Sequence, residues 1–333
     1  MELRRQVLTS SLLDPRNDFR LTRAEVEIRW DPLTGHGARL VNAGGRLLPA
    51  SDFDCEAFAR ETATTCPFCE ERIATATPQF PSEVIESGRL ERGQAVLFPN
   101  LLAYAKHSAV SVYSPELHFL PLSRMTPELV ADNLATQVQF GRAVMAHDPD
   151  AVWQSVNANH MLPSGSSLFH PHLQGGVDPV PTTLQRRMYE VAPERFEEYL
   201  ALERSTGERY LGGERVEWVA SFAPIVPYEF QAFIRGVSSP AELDDHTIGE
   251  LGAEIAQVLN LYAELGFESF NMAMYGAPPG TAGYPLNLRI GCRSNLQPLY
   301  RSDAMYLERL HWEGAIEMTP EELAQAARGR LSA

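Results

Sequence analysis

Residues 170–174 read His-Pro-His-Leu-Gln, and few backbones suit that order. Side chains alternate along an extended strand, which puts His170, His172 and Gln174 on one face and Pro171 and Leu173 on the other. Pro171 has no N–H to give to a sheet ladder, so the segment belongs at a sheet edge or a strand end. A surface carrying two imidazoles and a carboxamide is chemically capable. A neutral imidazole can attack phosphorus and form a phosphoramidate, which splits one displacement into two. It needs a defined tautomer, its other ring nitrogen donating to a fixed acceptor. The preceding Pro163-Ser164-Gly165-Ser166-Ser167 offers hydroxyls and backbone N–H groups of the kind that cradle phosphate oxygens. By spacing alone, two histidines in a polar loop would look the same.

Cys66-Pro67-Phe68-Cys69 is the second constellation. Such a knuckle supplies half of a tetrahedral zinc site, with Zn–S bonds of ~2.3 Å, and needs two more ligands. It also serves elsewhere as a redox pair. Cys55 and Cys292 complete the four cysteines, and there is no second Cys-x-x-Cys, so any further ligands are histidines or carboxylates. His118 and His170 are candidates, but spacing does not choose among nine histidines. Four cysteines are too few for a disulfide scaffold at this length, and a reducing compartment favours zinc over a disulfide.

The 333 residues correspond to about two domains at ~150 residues each. With 44% hydrophobic and 21% charged residues the composition is globular. Lys and Arg number 28 against 43 Asp and Glu, a formal charge of −15. So acidic a chain lacks the footprint for gripping nucleic acid. Small anionic ligands stay open, because they need only a few local donors. No apolar run approaches the ~18 residues of a membrane span, so no membrane partner is expected. The first residues lack the apolar core of a secretory signal, and the expectation is a soluble cytoplasmic protein.

Ala109–Tyr113 reads as a strand. Thr126-Pro127-Glu128 opens a helix whose apolar stripe includes Val130, Leu134 and Val138. Trp153–Asn157 reads as the next strand. Residues 175–183, rich in turn formers, mark a boundary, followed by a polar helix over 184–203. Strands are expected near 217–222, 230–234, 269–275 and 286–292. A long helix through Ile248, Leu251, Ile255 and Leu259 stops at Gly266. A capping box, Thr319-Pro320-Glu321-Glu322, starts the last helix. Each part reads as strands, long helix, strands, which predicts an α+β chain of two related halves, residues 1–178 and 179–333.

Four blocks together resemble the galactose-1-phosphate uridylyltransferase family of the histidine-triad superfamily. They are Arg29-Trp30-Asp31-Pro32-Leu33-Thr34-Gly35 with Arg46 trailing; Cys66-Pro67-Phe68-Cys69 with Phe98-Pro99-Asn100; Ser114-Pro115-Glu116-Leu117-His118 with Leu120-Pro121-Leu122-Ser123; and Asn159 with the run from Gly165 to Gln174. The resemblance implies two fused histidine-triad-like halves, each an antiparallel sheet with packed helices. It implies that His172 is the nucleophile and that Cys66, Cys69, His118 and His170 hold one structural Zn(2+). Gln174 and Ser167 would hold phosphate oxygens in the catalytic site. Arg46, Asn159 and Ser166 would join them in nucleotide and phosphate binding, with Asn100 in the nucleoside pocket. Hydrolytic relatives carry a third histidine where Gln174 stands, so the resemblance favours transfer over hydrolysis. It also implies a homodimer and nucleotide-sugar and sugar-phosphate substrates, with a UDP-sugar as donor.

The second half matches less closely, through Trp218-Val219-Ala220 and Pro227-Tyr228-Glu229-Phe230. The family's late His-x-His has no counterpart in Leu286–Arg293, so no second metal is expected. The family's hexose-phosphate Gln falls near Ala315, so the acceptor departs from the galactose pattern. Arg289, Arg293 and Arg301 could meet an acceptor phosphate or serve as structural ion pairs. Two other readings stay open: a phosphorylase that uses inorganic phosphate on a nucleoside diphosphate-sugar or a dinucleoside polyphosphate, and a non-catalytic zinc-stabilised nucleotide-binding protein.

Overall fold

The computed structural model describes residues 1–41, 51–298 and 303–331. Fourteen strands lie among them: β1 (Arg5–Asp14), β2 (Arg20–Trp30), β3 (Gly37–Val41), β4 (Leu90–Arg92), β5 (Ala95–Pro99), β6 (His107–Val112), β7 (Trp153–His160), β8 (His172–Asp178), β9 (Tyr210–Gly212), β10 (Val216–Ala220), β11 (Phe230–Ile234), β12 (Ser269–Tyr275), β13 (Leu286–Arg293) and β14 (Glu313–Ile316). The helices are α1 (Cys55–Ala63), α2 (Glu70–Ala76), α3 (Pro127–His147), α4 (Thr183–Tyr189), α5 (Pro193–Thr206), α6 (Asp245–Glu264) and α7 (Pro320–Ala327). None is long and apolar enough to cross a membrane.

A ten-stranded antiparallel sheet, ordered β4-β5-β6-β8-β7-β12-β13-β11-β10-β9, organises the molecule. Outward from its centre, β7-β8-β6-β5-β4 is matched by β12-β13-β11-β10-β9. The long helices occupy equivalent places, α3 between β6 and β7 and α6 between β11 and β12. The fold is therefore α+β, two halves of one topology fused along β7 and β12. Pro171 precedes β8 just as Pro285 precedes β13, so His172 corresponds in topology to Leu286.

Helices α3 and α6 cover one face of this sheet and make the main core with Leu134, Val138, Ile255, Leu259, Leu173 and Leu288. They approach closely at Gly252, where a Cβ would lie 2.7 Å from the Ala131 methyl. Gly175 has a similar reason. A Cβ there would meet the Gln137 side chain at 2.1 Å, so this glycine belongs to β8 and is not a linker residue. The polar helix expected over 184–203 is two helices, because Pro193 opens α5 after a break at Val191 and Ala192.

A second sheet, β1-β2-β3-β14, joins the start of the chain to its last strand. Its parallel β3–β14 pairing sets Ala315 opposite Arg39. β1 is exposed on both faces through nine of its ten residues, so it has no apolar alternation from which a strand could be read.

Candidate active site and metal centre

His172 is the first residue of β8, at a strand end as Pro171 requires, although β8 itself lies inside the sheet. Leu173 points into the helix-covered core, while His172 and Gln174 face the other way. His170 precedes the strand, so the three-residue alternation holds only for its last two members. Both imidazoles still meet the Phe68 ring edge-on, with centroids 6.0 Å from His170 and 5.5 Å from His172. Phe68 holds this place because it lies between the two cysteines, the one signal of its role in the chain itself.

Cys66, Cys69 and His170 are buried and His118 is half-buried, and one ligand atom from each of the four lies within 4.8 Å of the others. His170 Nδ1 is 3.7 Å from both sulfurs, and His118 Nδ1 is 3.3 Å from Cys69 Sγ. Their far nitrogens are engaged outside the cluster. His170 Nε2 donates to the Ser114 carbonyl at 2.9 Å, and His118 Nε2 lies 2.9 Å from Thr62 Oγ1. Thr62 gives its own hydrogen to the Phe58 carbonyl at 2.8 Å, so its oxygen accepts from His118. Each imidazole thus turns a lone pair inward. Burial pushes His170 down to about 3 and lowers His118, so both are neutral near pH 7. Burial and the neighbouring Cys66 push the Cys69 thiol up to about 12, so a metal must displace its proton. Two thiols and two oriented imidazoles fit a tetrahedral metal ion, and the cluster is positioned to bind one.

His172 is buried at 5% exposure. Its Nδ1 lies 2.8 Å from the His170 carbonyl oxygen, which can only accept, so the hydrogen sits on Nδ1. Nε2 keeps its lone pair, with the Gln174 amide nitrogen 3.3 Å away. Burial lowers the pKa of His172 against the opposing effect of that carbonyl, and the ring is neutral near pH 7.

The sheet register extends this site sideways. Val112 stands opposite His172, Asn271 opposite Asn159, and Gly291 opposite Asn271. Continuing the β7–β8 register one step beyond Ala158–Leu173 sets Asn159 opposite His172. A cavity of about 380 Å³ lies along this row, lined by Asn159, Ser164, Gly165, Val226, Asn271 and Arg309 among others.

The remaining predicted residues are more dispersed. Ser166 is buried and spends its hydroxyl hydrogen on the Leu168 carbonyl at 2.6 Å, whereas Ser167 is exposed. Gly165, between them and Ser164, has φ +95°, which suits a residue without a Cβ. Asn100 accepts from Leu102 N at 3.0 Å at the start of an exposed loop. Arg46 and Arg301 lie outside the described residues. Arg289 is buried and bridges Asp31 at 2.8 Å and Glu229 at 2.5 Å, while Arg293 pairs with Asp303 and Glu308. Both of these arginines are committed to carboxylates. Asp31 of the first block and Glu229 of the Pro-Tyr-Glu block therefore meet on one guanidinium, a link between halves that no spacing rule could reveal.

No family model matches the chain. A protein of Archaeoglobus fulgidus, described as uncharacterized, is 30% identical over 340 residues, covering 98% of each chain. Among solved structures, an ADP-glucose phosphorylase from Arabidopsis thaliana with bound ADP-glucose superposes with a TM-score of 0.67 at 20% identity, over 91% of this chain and 99% of that one. A protein described as "galt-like" from the same plant gives 0.63 at 18% identity, over 92% and 99%. A uridylyltransferase gives 0.57 at 21% identity, over 91% and 98%. With its two fused halves, the chain belongs to one family with the Archaeoglobus fulgidus protein and has the fold shared by that ADP-glucose phosphorylase, the galt-like protein and the uridylyltransferase.

Proposed function

We propose that the protein is a nucleotidyltransferase in which His172 carries a nucleoside monophosphate between two phosphate-bearing substrates. The observation that supports this most is the bond from His172 Nδ1 to the His170 carbonyl, which leaves Nε2 as the nucleophilic atom. Nε2 attacks the α-phosphorus of a nucleoside diphosphate-sugar, a P–N bond forms, and the P–O bond to sugar 1-phosphate breaks. The electron pair leaves with the sugar phosphate. The imidazole becomes cationic, stabilised through Nδ1–H by the His170 carbonyl. An oxygen of the second phosphate then attacks the same phosphorus, the P–N bond breaks, and His172 is neutral again. The Gln174 amide, which faces Nε2, turns its N–H to a phosphoryl oxygen as the phosphate arrives. Having no titratable proton, Gln174 does not activate water, and this favours transfer over hydrolysis. Ser167 and the loop N–H groups add donors to the phosphate, and Asn100 borders the nucleoside.

Cys66, Cys69, His118 and His170 are read as the ligands of one structural zinc ion, which supplies rigidity beside the nucleophile and no reactive group. The donor is read as a UDP-sugar and the protein as a homodimer from the family resemblance, and a cytoplasmic location from the cysteine usage and the lack of a signal-like apolar core in the first residues. Exposed Leu13, Phe19 and Leu21 on the β1–β2 hairpin support an interface.

A second reading, a phosphorylase that uses inorganic phosphate, draws on one further observation. Ala315 is buried in β14 between Gly314 and Ile316, so this segment presents no polar side chain to a hexose. The likeness to an ADP-glucose phosphorylase points the same way.

Intact-protein mass spectrometry after incubation with UDP-glucose, ADP-glucose and GDP-sugars, quenched at neutral pH, tests the reading. The expected result is a gain of one nucleoside monophosphate that is absent in His172→Gly. A wild-type protein unmodified by every donor would overturn it. Challenging the labelled protein with sugar phosphates and with inorganic phosphate separates the two readings.

A further inference from the structure

Asn271 lies on β12, in the half of the chain that lacks the nucleophile, yet it reaches two parts of the site. Its Nδ2 is 3.0 Å from the Ser164 carbonyl oxygen and 2.7 Å from Asn159 Oδ1. The carbonyl of Ser164 can only accept. Asn271 must therefore present its NH2 group on this side, since the flipped amide would set oxygen against oxygen. With two hydrogens and two good acceptors, this NH2 is fully used. Asn159 must then present Oδ1 to Asn271, which leaves its own NH2 free for another acceptor; Asn159 lines the cavity, and the β7–β8 register continued one step sets it opposite His172.

We propose that Asn271 is a positioning residue that fixes the amide of Asn159 with its donor side toward the phosphate carried by His172. The proposal rests on the reading of His172 given above. It gives the second half a part in the chemistry of the first: one amide sets a donor on β7 and tethers the Ser164–Gly165 turn. A carboxamide donating to a phosphoryl oxygen makes a charge-assisted bond, so misorienting it lowers the rate of nucleotidylation roughly tenfold or more.

The test compares Asn271→Asp with Asn271→Leu, alone and in an Asn159→Ala background. Asp is the closer match in shape but cannot donate when ionised, and it draws the Asn159 NH2 toward itself. It should therefore slow His172 labelling more than Leu does, and the difference should vanish once Asn159 is Ala. A merely structural role predicts the opposite order, with Asp the milder change in both backgrounds, and that result overturns the proposal. A second readout does not depend on covalent chemistry. In protein labelled with 15N-asparagine, the Asn159 side-chain NH2 signals should shift on titration with UMP, AMP or orthophosphate and stay still in Asn271→Leu. Signals that ignore all three probes in the wild type would sink the proposal. If they respond but no adduct forms, the role of Asn271 stands and the covalent reading fails.

Discussion

His172 donates its Nδ1 hydrogen to the carbonyl oxygen of His170, 2.8 Å away, while His170 turns its own Nδ1 toward Cys66 and Cys69. One residue thus serves the candidate metal cluster with its side chain and His172, the proposed nucleophile, with its backbone. Whatever anchors the His170 ring also steadies the acceptor that sets the tautomer of His172. Cys66→Ser is accordingly expected to lower bound zinc and thermal stability, and His172 labelling should decline in step with zinc content. Metal analysis alongside the labelling assay checks this. Full zinc retention would remove Cys66 from the ligand set.

Thr62 supplies the acceptor for His118 Nε2 and is bound in turn to the Phe58 carbonyl. In Thr62→Val that N–H is left without a partner, and zinc affinity should fall about 10- to 100-fold, as for other outer partners of metal-bound histidine. Thr62→Ser should restore most of it. Competition with a chromophoric chelator measures the change. Equal affinity in all three proteins would show that the Thr62 contact is incidental.

The Arg289 bridge carries a different expectation. Asp31, Glu229 and Arg289 are all buried, so Arg289→Met leaves two carboxylates without their cation. A loss of about 3–5 kcal/mol in urea unfolding is expected. If the arginine instead served an acceptor phosphate, stability would hold and turnover would drop.

Glu254 on α6 gives a pH prediction. Burial, reinforced by Glu250, raises its carboxyl to about 7 despite a hydrogen bond from Trp218 Nε1 at 2.9 Å. An acid whose folded pKa is raised holds its proton in the native state after the unfolded chain has released it. Stability from this group therefore falls as the pH rises from about 4.5 to 7. Glu254→Gln keeps the acceptor for Trp218 and removes the charge. It should stabilise the protein at pH 8 by ~1 kcal/mol, allowing for partial solvent screening, and leave it unchanged at pH 4.5. Urea unfolding at the two pH values decides it, and equal stability of variant and wild type at pH 8 would refute the assignment.

Local chemistry was readable from the chain alone wherever one short segment contained its own reason. Pro171 placed His172 at a strand end, Thr126-Pro127 and Thr319-Pro320 opened helices, and Gly266 closed one, because caps and turns act over a few residues. The Cys66–Cys69 knuckle, likewise, announced half of a metal site. Folding decided what depends on pairing distant segments. β1 has no apolar period because nine of its ten residues are exposed, whereas β2 alternates Ala24, Val26, Ile28 and Trp30 with Glu25, Glu27 and Arg29 and takes its partners only from the fold. The resemblance had already named His118, but the two carboxylates on Arg289 and the contact of Asn271 with Asn159 follow from sheet register and packing. Register couples residues more than a hundred positions apart through backbone hydrogen bonds, and no local pattern in the chain encodes those partners.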